Sequence, residues 1–261
     1  MHKVKIEKYD LSTKTSKTID DYVAEERPLH LFLNAIYWAT ILCSPSNLKE
    51  MSVGHLLSEG ILKSTREIEE VNLNEMEGSC YVKLKASVNA KERIGLSRLH
   101  QRVVTSACGE QSIYQYKRKP AKVTSNLTVK AEVIFKFVNQ LNFQAEVFRQ
   151  TGGVHAAAIY TANGSMVALA EDVGRHNAVD KVIGIAALKN TNFSECFLTS
   201  TGRLSGDIVF KASKVGLPIV ASLGAALDSG VTMAEAANLT LVGFVRGKRM
   251  NVYNAPERIV L

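Results

Sequence analysis

Cysteine is scarce in this chain of 261 residues, which has four, and no two of them form a CxxC pair. Cys43, Cys80, Cys108 and Cys196 are widely spaced, and this spacing excludes a disulfide scaffold. Long apolar runs are missing too. No uncharged apolar stretch reaches the length of a membrane span. The start MHKVKIEKYDLSTK lacks the apolar run of a secretory signal. These absences predict a cytoplasmic protein without a membrane partner, whose thiols stay free in a reducing compartment.

Acidic side chains are outnumbered, with 25 aspartates and glutamates against 32 lysines and arginines and a formal net charge of +7. A basic surface suits a polyanionic partner, and nucleic acid, a phosphorylated cofactor and an acidic protein all qualify. Excess lysine that only keeps the surface soluble explains the same charge. The fractions of hydrophobic (46%) and charged (22%) residues are those of an ordinary globular protein, large enough for one large domain or two modest ones.

The first part of the chain is predicted to form strands and one helix. Strand patterns occur in KVKIEKY, TIDDYVAEE, PLHLFLN, IYWATIL and SCYVKLKAS. Between them, SNLKEMSVGHLLSEG has helical spacing and ends at Gly60. The basic, proline-bearing segment YKRKPAKVTSN is the best candidate for a domain boundary. We therefore predict a smaller, strand-rich domain over residues 1–120.

From Thr128 onward, strands and helices alternate. VKAEVIFKFVNQLNF places its apolar residues on one face of an amphipathic helix. The predicted strands are HAAAIYTA, SMVALAED, CFLTST, PIVAS and TLVGFV, and the predicted helices run from Arg175 to about Leu188, through DIVFKASKVG and over VTMAEAAN. No internal repeat is present. This alternation predicts an α/β domain with a mixed sheet over residues 121–261.

Glycines and charged residues cluster where these strands end, and ligands usually bind at the strand ends of α/β sheets. A helix start beside glycine and arginine suits an anion, because free amides point at the ligand and the helix dipole favours negative charge. The candidate cofactor-binding residues are Gly152, Gly153, His155, Asp172, Arg175, His176, Arg203 and Ser205, and the loop of Phe244, Val245, Arg246, Gly247, Lys248 and Arg249.

The motif around Asp172 has two interpretations. His176 and Asp180 are one helical turn apart, so a carboxylate could orient the histidine for proton transfer or ligand binding. Spacing alone favours the other interpretation, in which Asp172 caps the helix and Asp180 forms a surface ion pair with Lys181 or His176.

The other candidates also have plainer interpretations. His155, taken alone, is more often a satisfied interior histidine than a ligand, although the glycines before it allow a close approach. Arg203 and Ser205 fit an anion clamp and a capped helix with a solvated arginine equally well. The basic loop around Gly247 fits phosphates better than it fits a hairpin that only faces water.

The stretch TSACGEQS leaves the role of Cys108 open. Gly109 lets the chain turn sharply and expose the sulfur, and the basic residues of the following segment would favour the nucleophilic thiolate. A small buried apolar residue explains Cys108 equally well. Cys43, Cys80 and Cys196 lie in or beside strand patterns, which predicts that they pack in the core.

Taken together, TGGVHAAA, EDVGRHNAVDKVIG, TGRLSGDIVFKASKVGLPIVAS and TLVGFVRGKRMNVY resemble the successive signatures of the FdhD/NarQ family. RPLHLFLN and SVGHLLSEGIL resemble that family more loosely. The family comprises formate dehydrogenase accessory sulfurtransferases, so the resemblance implies a function that composition does not show. It implies a cytidine-deaminase-like α/β fold in the larger domain and a homodimer.

The resemblance implies a sulfur carrier that takes sulfur from a cysteine desulfurase as a persulfide on Cys108. The sulfur would pass to a molybdenum (or tungsten) bis(guanine dinucleotide) cofactor before that cofactor enters formate dehydrogenase. The cofactor would be a bound substrate, held through its guanine dinucleotide arms, and no tightly bound metal of the protein's own is expected. Nucleic acid is not an expected partner.

The chain departs from the family pattern in its cysteine loop, where the family usually has C-G-x-C-G. Cys108 matches the second cysteine if Thr105 stands at the first, or the first if Gln111 stands at the second. One thiol is enough to accept a persulfide sulfur. Ala225, Ala226 and Leu227 also replace an Ala-Pro-Thr run. An alternative function is therefore a non-catalytic chaperone of the guanine dinucleotide cofactor.

A zinc nucleobase deaminase would share the expected fold. That chemistry needs a glutamate two residues after a histidine or cysteine ligand, followed by PCxxC. Ala157 stands where His155 would require the glutamate, and PCxxC does not occur. The sequence excludes this function.

Overall fold

The computed structural model describes residues 1–89, 92–93, 102–104 and 119–261. Its N-terminal part contains an antiparallel hairpin of β1 and β2 and a five-stranded sheet in the order β5-β6-β3-β4-β7. The elements are β1 (His2–Asp10), β2 (Thr15–Val23), β3 (Arg27–Leu33), β4 (Ile36–Cys43), α1 (Leu48–Ser58), β5 (Ile68–Asn74), β6 (Ser79–Leu84) and β7 (Arg102–Val104).

The C-terminal part is built on a six-stranded mixed sheet in the order β10-β9-β11-β12-β13-β14, beside a short parallel pair of β8 and β15. The strands are β8 (Val129–Lys130), β9 (His155–Thr161), β10 (Met166–Asp172), β11 (Cys196–Ser200), β12 (Ile219–Ser222), β13 (Thr240–Arg246), β14 (Arg249–Val252) and β15 (Ile259–Val260). The helices are α2 (Ala131–Gln144), α3 (Glu146–Thr151), α4 (Arg175–Leu188), α5 (Gly206–Val215) and α6 (Asp228–Ala237).

The side chains of β9 point alternately into two hydrophobic clusters, one on each face of this sheet. Ala156, Ala158 and Tyr160 pack in a cluster with the apolar face of α2. Ala157 and Ile159 point the other way, into the cluster that includes α4 and α5. Side chains of a strand point alternately to the two faces, so an all-apolar strand such as HAAAIYTA must be buried on both.

The larger of these two hydrophobic clusters continues into the N-terminal sheet. Leu29 and Leu31 of β3 belong to the same cluster as Val182 of α4 and Leu198 of β11. The division at residue 120 stays a prediction, and part of the segment YKRKPAKVTSN lies outside the described residues.

The predicted fold class is confirmed, because the chain is an α/β protein with mixed sheets. The helix over Arg175–Leu188 and the core positions of Cys43, Cys80 and Cys196 are also confirmed. The sequence analysis missed β5, α3 and β14. In the part of the chain that the structure describes, no helix is long and apolar enough to cross a membrane.

Candidate functional site

One edge of the six-stranded sheet gathers the predicted site residues. β9 begins there at His155, which pairs with Asp172 at the end of β10. The parallel strands β11, β12 and β13 end at the same edge, and β14 begins there with Arg249 opposite Arg246. Residues that are far apart in sequence therefore share one edge, as the strand-end pattern predicted.

The first part of this edge is formed by three basic residues. His155 begins β9, Arg175 begins α4, and Arg203 lies just before α5. A Cβ on Gly202 would lie 2.8 Å from the Cβ of Arg175, so the glycine lets the arginine pass close to the chain. Nδ1 of His155 is 3.2 Å from Oγ1 of Thr201. Burial, followed by the positive charges of Arg175 and Arg203, lowers the pKa of His155 and keeps its ring neutral at pH 7.

Ser205 stands at the N-cap position of α5 but does not cap that helix. It is 8% exposed, and its Oγ has no hydrogen-bond partner among the described residues. Arg203 is exposed. The capping interpretation of Ser205 is therefore wrong, while the exposed position of Arg203 agrees with both interpretations.

The carboxylate of Asp172 is buried and fully engaged in contacts within the protein. It is 0% exposed and accepts hydrogen bonds from the backbone of Ser44 (2.9 Å) and Gly174 (2.8 Å) and from Nδ2 of Asn177 (2.9 Å). Its Oδ2 also lies 2.7 Å from Nζ of Lys181. Gly174, not Asp172, is the N-cap residue of α4, so the capping interpretation is corrected. Asp172 holds the end of β10 against the end of β4.

Asp180 is buried, which corrects the predicted surface ion pair. Its carboxylate lies 2.8 Å from Nζ of Lys211 and accepts a hydrogen bond from Oγ of Ser58 at 2.6 Å. Nδ1 of His55 is 3.1 Å from the same carboxylate. The positive charge of Lys211 holds the pKa of Asp180 below its usual value although burial alone would raise it. Asp180 therefore joins α4 to α1 and α5.

His176 makes neither of the contacts that the spacing suggested. Its Nε2 is buried and has no hydrogen-bond partner among the described residues. Burial, then the nearby charges of Arg175 and Lys211, lowers its pKa to about 3, so the ring is neutral at pH 7. Asp180 acts in the opposite direction, but it is the weaker influence.

The basic loop is the turn of the β13–β14 hairpin. Arg246, Lys248 and Arg249 are exposed, and the guanidinium of Arg246 lies 5.2 Å from the ring centre of Phe244. Val245 is buried in the core, so its side chain points away from solvent. Phe244 has a φ of 52°, a left-handed conformation that costs of order 1–3 kcal/mol for a residue with a side chain. Such strain is typical of functional sites.

A pocket of about 350 Å³ opens between α3 and the starts of β9 and α4. Gly152, Gly153 and His155 line it, and so do Asn142 and Phe148, which the sequence analysis did not single out. Among the described residues, no group of three or more His, Cys, Asp or Glu is placed to hold a metal ion. The chemistry of this edge is therefore that of basic groups, backbone amides and neutral histidines, which suits a phosphorylated ligand.

A model of the FdhD/NarQ family matches residues 24–260. This chain belongs to that family. A sulfur carrier protein FdhD from Sulfolobus acidocaldarius is 37% identical over 267 residues, which cover 100% of this chain and 99% of the relative. A sulfur carrier protein FdhD from Shouchella clausii is 35% identical over 253 residues, which cover 93% and 91%.

A solved structure shows the same fold. It is described as a formate dehydrogenase accessory protein from Desulfotalea psychrophila and has a TM-score of 0.77 at 27% identity, covering 99% of each chain. The FdhD/NarQ signature EDVGRHNAVDK thus lies at the end of β10 and the start of α4. Cys108, together with Thr105 and Gln111, lies outside the described residues.

The sequence analysis missed one positioning residue in this FdhD/NarQ signature. The carboxylate of Glu171 accepts hydrogen bonds from the backbone of Val147 (3.0 Å) and Phe148 (2.7 Å), which fixes the start of α3. Its place beside Asp172 in the motif was the available signal. Lys211 was missed as well, because nothing in its local pattern shows that it is buried.

Proposed function

We propose that this chain is a sulfur carrier that serves formate dehydrogenase. It accepts sulfur from a cysteine desulfurase as a persulfide on Cys108 and passes it to a molybdenum or tungsten bis(guanine dinucleotide) cofactor, its bound substrate. The observation that carries the proposal is that relatives aligned with 93% or more of the chain bear the name sulfur carrier protein FdhD. We further propose that it works as a cytoplasmic homodimer.

The sheet edge supports the cofactor part of the proposal. Arg175, Arg203, Arg246, Lys248 and Arg249 bring five basic side chains to one edge. The proposed cofactor carries phosphates in each nucleotide arm, and charge-assisted hydrogen bonds from arginine suit them. The neutral ring of His155, which lines the pocket at this edge, adds a hydrogen-bonding group without adding charge.

The state of the other thiols supports Cys108 as the carrier. Burial raises the pKa of Cys43 to about 12, that of Cys196 to about 11, and that of Cys80 as well. These three thiols therefore stay protonated and unreactive at pH 7, since the thiolate is the nucleophile. Cys108 is the remaining cysteine of the chain.

Loading of the carrier needs one thiolate. The Cys108 thiolate attacks the terminal sulfur of the desulfurase persulfide, an S–S bond forms on Cys108, and the desulfurase cysteine leaves as a thiolate. Transfer to the cofactor returns the Cys108 thiolate, and the sulfur becomes sulfide through a two-electron oxidation of the substrate's metal ion.

The single cysteine of the loop favours one alternative. With Thr105 or Gln111 at the other cysteine position, no second thiol of the loop can resolve or relay the persulfide. A chaperone that binds the guanine dinucleotide cofactor without moving sulfur would need no thiol at all.

Mass spectrometry separates the two functions. After incubation with a cysteine desulfurase and isotopically labelled cysteine, we expect one added sulfur on Cys108 of the wild-type protein and none on Cys108→Ala. Cys196→Ala is the matched control and should load normally, because its thiol is buried. We expect Cys108→Ala to lower active formate dehydrogenase at least tenfold. Wild-type protein without an added sulfur would refute the sulfur carrier and leave the chaperone as the function. Full formate dehydrogenase activity with Cys108→Ala would have the same meaning.

A further inference from the structure

The hairpin of β1 and β2 forms a sheet of its own, with nine residues in each strand. At the usual rise per residue, each strand is about 30 Å long. The match to the family model begins at residue 24, directly after β2, so the hairpin precedes the matched residues. A single two-stranded hairpin is marginally stable in water, and further strands or a helix normally cover it.

The hairpin is attached to the rest of the chain at its base. The helix α3 contacts β2, and a Cβ on Gly153 would lie 2.9 Å from the Cβ of Ala24, which directly follows β2. The N-terminal amino group lies 3.7 Å from the carboxylate of Glu25. Farther out, the middle of β2 over residues 17–21 is exposed except for Ile19.

One face of the hairpin carries all the aliphatic side chains of its strands. The register sets Ile6 opposite Ile19, and residues directly opposite each other in an antiparallel pair share a face. This face contains Val4, Ile6, Ile19 and Val23, which are half-buried. Neither hydrophobic cluster of the described residues includes any of the four. The apolar face of the hairpin therefore lies outside both cores.

The charged residues on the same face are unbalanced. Lys8 lies directly opposite Lys17, and like charges in this position weaken a hairpin. Lys8, Lys17 and Asp21 make no ion pair within the part of the chain that the structure describes. On the other face, by contrast, Nζ of Lys3 lies 2.8 Å from Oδ2 of Asp20. The face that carries the aliphatic residues is thus also the face with unpaired charges.

The sequence of β2, TSKTIDDYV, is complementary to itself in antiparallel orientation. When two copies pair about Ile19, Lys17 lies opposite Asp21 of the second copy, and two-fold symmetry makes this pair twice. Each Asp21 then supplies the negative charge that the pair of Lys8 and Lys17 lacks. Ile19 meets Ile19 of the second copy, so the Ile6 and Ile19 side chains of both copies form one row across four strands.

Pairing through β1 would leave the same charges unbalanced. In an antiparallel pair centred on Ile6, Lys8 would lie opposite Val4 of the second copy, and Lys17 and Asp21 would stay unpaired. The charge pattern therefore favours the edge of β2.

We propose that the exposed edge of β2 is an interface between two copies of this chain, in which the two β2 strands pair antiparallel about Ile19. The four strands then form one sheet, and the free N–H and C=O groups of the β2 edge are hydrogen-bonded across the interface. The inference rests on the homodimer that is part of the proposed function, and it adds the contact surface.

Charge reversal tests the pairing by sedimentation equilibrium. Lys17→Glu should raise the dimer dissociation constant at least tenfold, because two symmetric contacts then set like charges opposite each other. Asp21→Lys should do the same, and Lys17→Glu combined with Asp21→Lys should restore the dimer. Lys14→Glu is the matched control, because it makes the same change of charge in the exposed turn of the hairpin.

The same variant separates a lost interface from a lost hairpin. Lys17→Glu places an opposite charge across from Lys8 within one copy, so the hairpin itself should become more stable. Its circular dichroism spectrum should therefore match that of the wild-type protein although its dimer is weaker. A spectrum that loses strand signal would mean that the charge change acts on folding, which would overturn the argument from Lys17.

Disulfide formation tests the position of Ile19. Opposite residues of an antiparallel pair have Cα atoms about 4.5–5.5 Å apart, within the range of about 4.4–6.8 Å that a disulfide spans. In a Cys108→Ala background the other three cysteines are buried, so Ile19→Cys should form a covalent dimer when diamide takes up the two thiol hydrogens. Ile6→Cys is the matched control, because three strand spacings, about 14 Å, separate the two copies of residue 6.

The outcomes distinguish this interface from the proposed function. A wild-type dimer that is unchanged by Lys17→Glu and gives no disulfide through Ile19→Cys would overturn the interface and leave the homodimer standing. A wild-type protein that is monomeric at every concentration would contradict both, while sulfur loading of Cys108 in the same sample would still test the carrier. A monomer whose loading by the desulfurase is slowed by Lys17→Glu would assign the hairpin to the desulfurase and overturn the proposal.

Discussion

His176 is a neutral ring among charged neighbours. It lies in the first turn of α4, and the groups that influence its pKa are Arg175 and Asp180 of the same helix, Lys211 of α5 and Glu59 at the end of α1. Burial and the two cations dominate, so protonation of the ring is opposed in the folded protein. The unfolded chain has no such restraint, and its histidine titrates near the ordinary value.

This difference predicts a loss of stability in mild acid. Between the unfolded pKa of about 6.5 and the folded pKa of about 3, the unfolded state binds a proton that the folded state does not, so stability falls as pH falls. At pH 5 the loss is about 2 kcal/mol. Urea unfolding at pH 7 and pH 5 should show a smaller difference for His176→Gln than for the wild-type protein.

His2→Gln is the control for that measurement, because His2 is exposed at the start of β1. The His2→Gln variant should lose as much free energy of unfolding between pH 7 and pH 5 as the wild-type protein does. An equal loss in His176→Gln would mean that another group causes the acid sensitivity.

Two glycines allow α1 and α4 to cross in backbone contact. A Cβ on Gly54 of α1 would overlap the carbonyl oxygen of Asp180, and a Cβ on Gly184 of α4 would overlap that of Glu50. Glycine normally weakens a helix interior relative to alanine by roughly 0.5–1 kcal/mol. Here backbone contact between the helices requires it, and this contact brings Asp180 within reach of His55 and Ser58.

Gly184→Ala should therefore destabilise the protein, against the helix propensity of alanine. We expect a loss of about 3 kcal/mol in the free energy of unfolding, the upper end of the usual cost of overpacking, because the helices must move apart around the added Cβ. Gly216→Ala is the control. Gly216 has a φ of 83° but open space around it, so only backbone strain of about 1–2 kcal/mol applies. Equal losses in the two variants would refute the crossing argument.

At the scale of the whole molecule, one buried ionic network joins the two parts of the chain. Nζ of Lys211 lies 3.1 Å from Oε1 of Glu59 and 2.8 Å from Oδ2 of Asp180, and it also donates to Ser58 at 3.1 Å. Burial opposes the charge of Lys211, but the two carboxylates raise its pKa above the usual value. The hydrophobic cluster crosses the same boundary, so the parts share both apolar and polar contacts.

This shared interior predicts a single unfolding transition. Trp38, the chain's one tryptophan, is buried in the N-terminal sheet, whereas far-UV circular dichroism reports on all elements. The two signals should give the same midpoint in urea. Lys211→Met leaves buried carboxylates without their cation and should lower the free energy of unfolding by about 3–5 kcal/mol in both signals. Separate midpoints would show that the two parts unfold independently.

The sequence alone was sufficient to predict most helices and strands and the sheet edge at which the candidate site lies. Periodicity located α4 and five of the six strands of the large mixed sheet, because it depends on neighbours within a few residues. Motifs placed at strand ends predicted a shared edge, because parallel strands end together. The short α3 and the exposed β5 and β14 have weak patterns, and those were missed.

The partners of individual side chains were decided only by the tertiary structure. Asp172 and Ser44 are 128 positions apart, and Lys211 and Glu59 are 152 apart, so no local pattern could pair them. The same holds for Phe148, because the hydrogen bonds from the start of α3 to Glu171 of β10 bring it to the pocket, which Asn142 of α2 also lines. The amino-acid sequence by itself determined the family, the fold class and the edge that carries the chemistry. Packing decided which carboxylates hold the fold together and which groups remain for a ligand, because burial and pairing arise between residues that are distant in sequence.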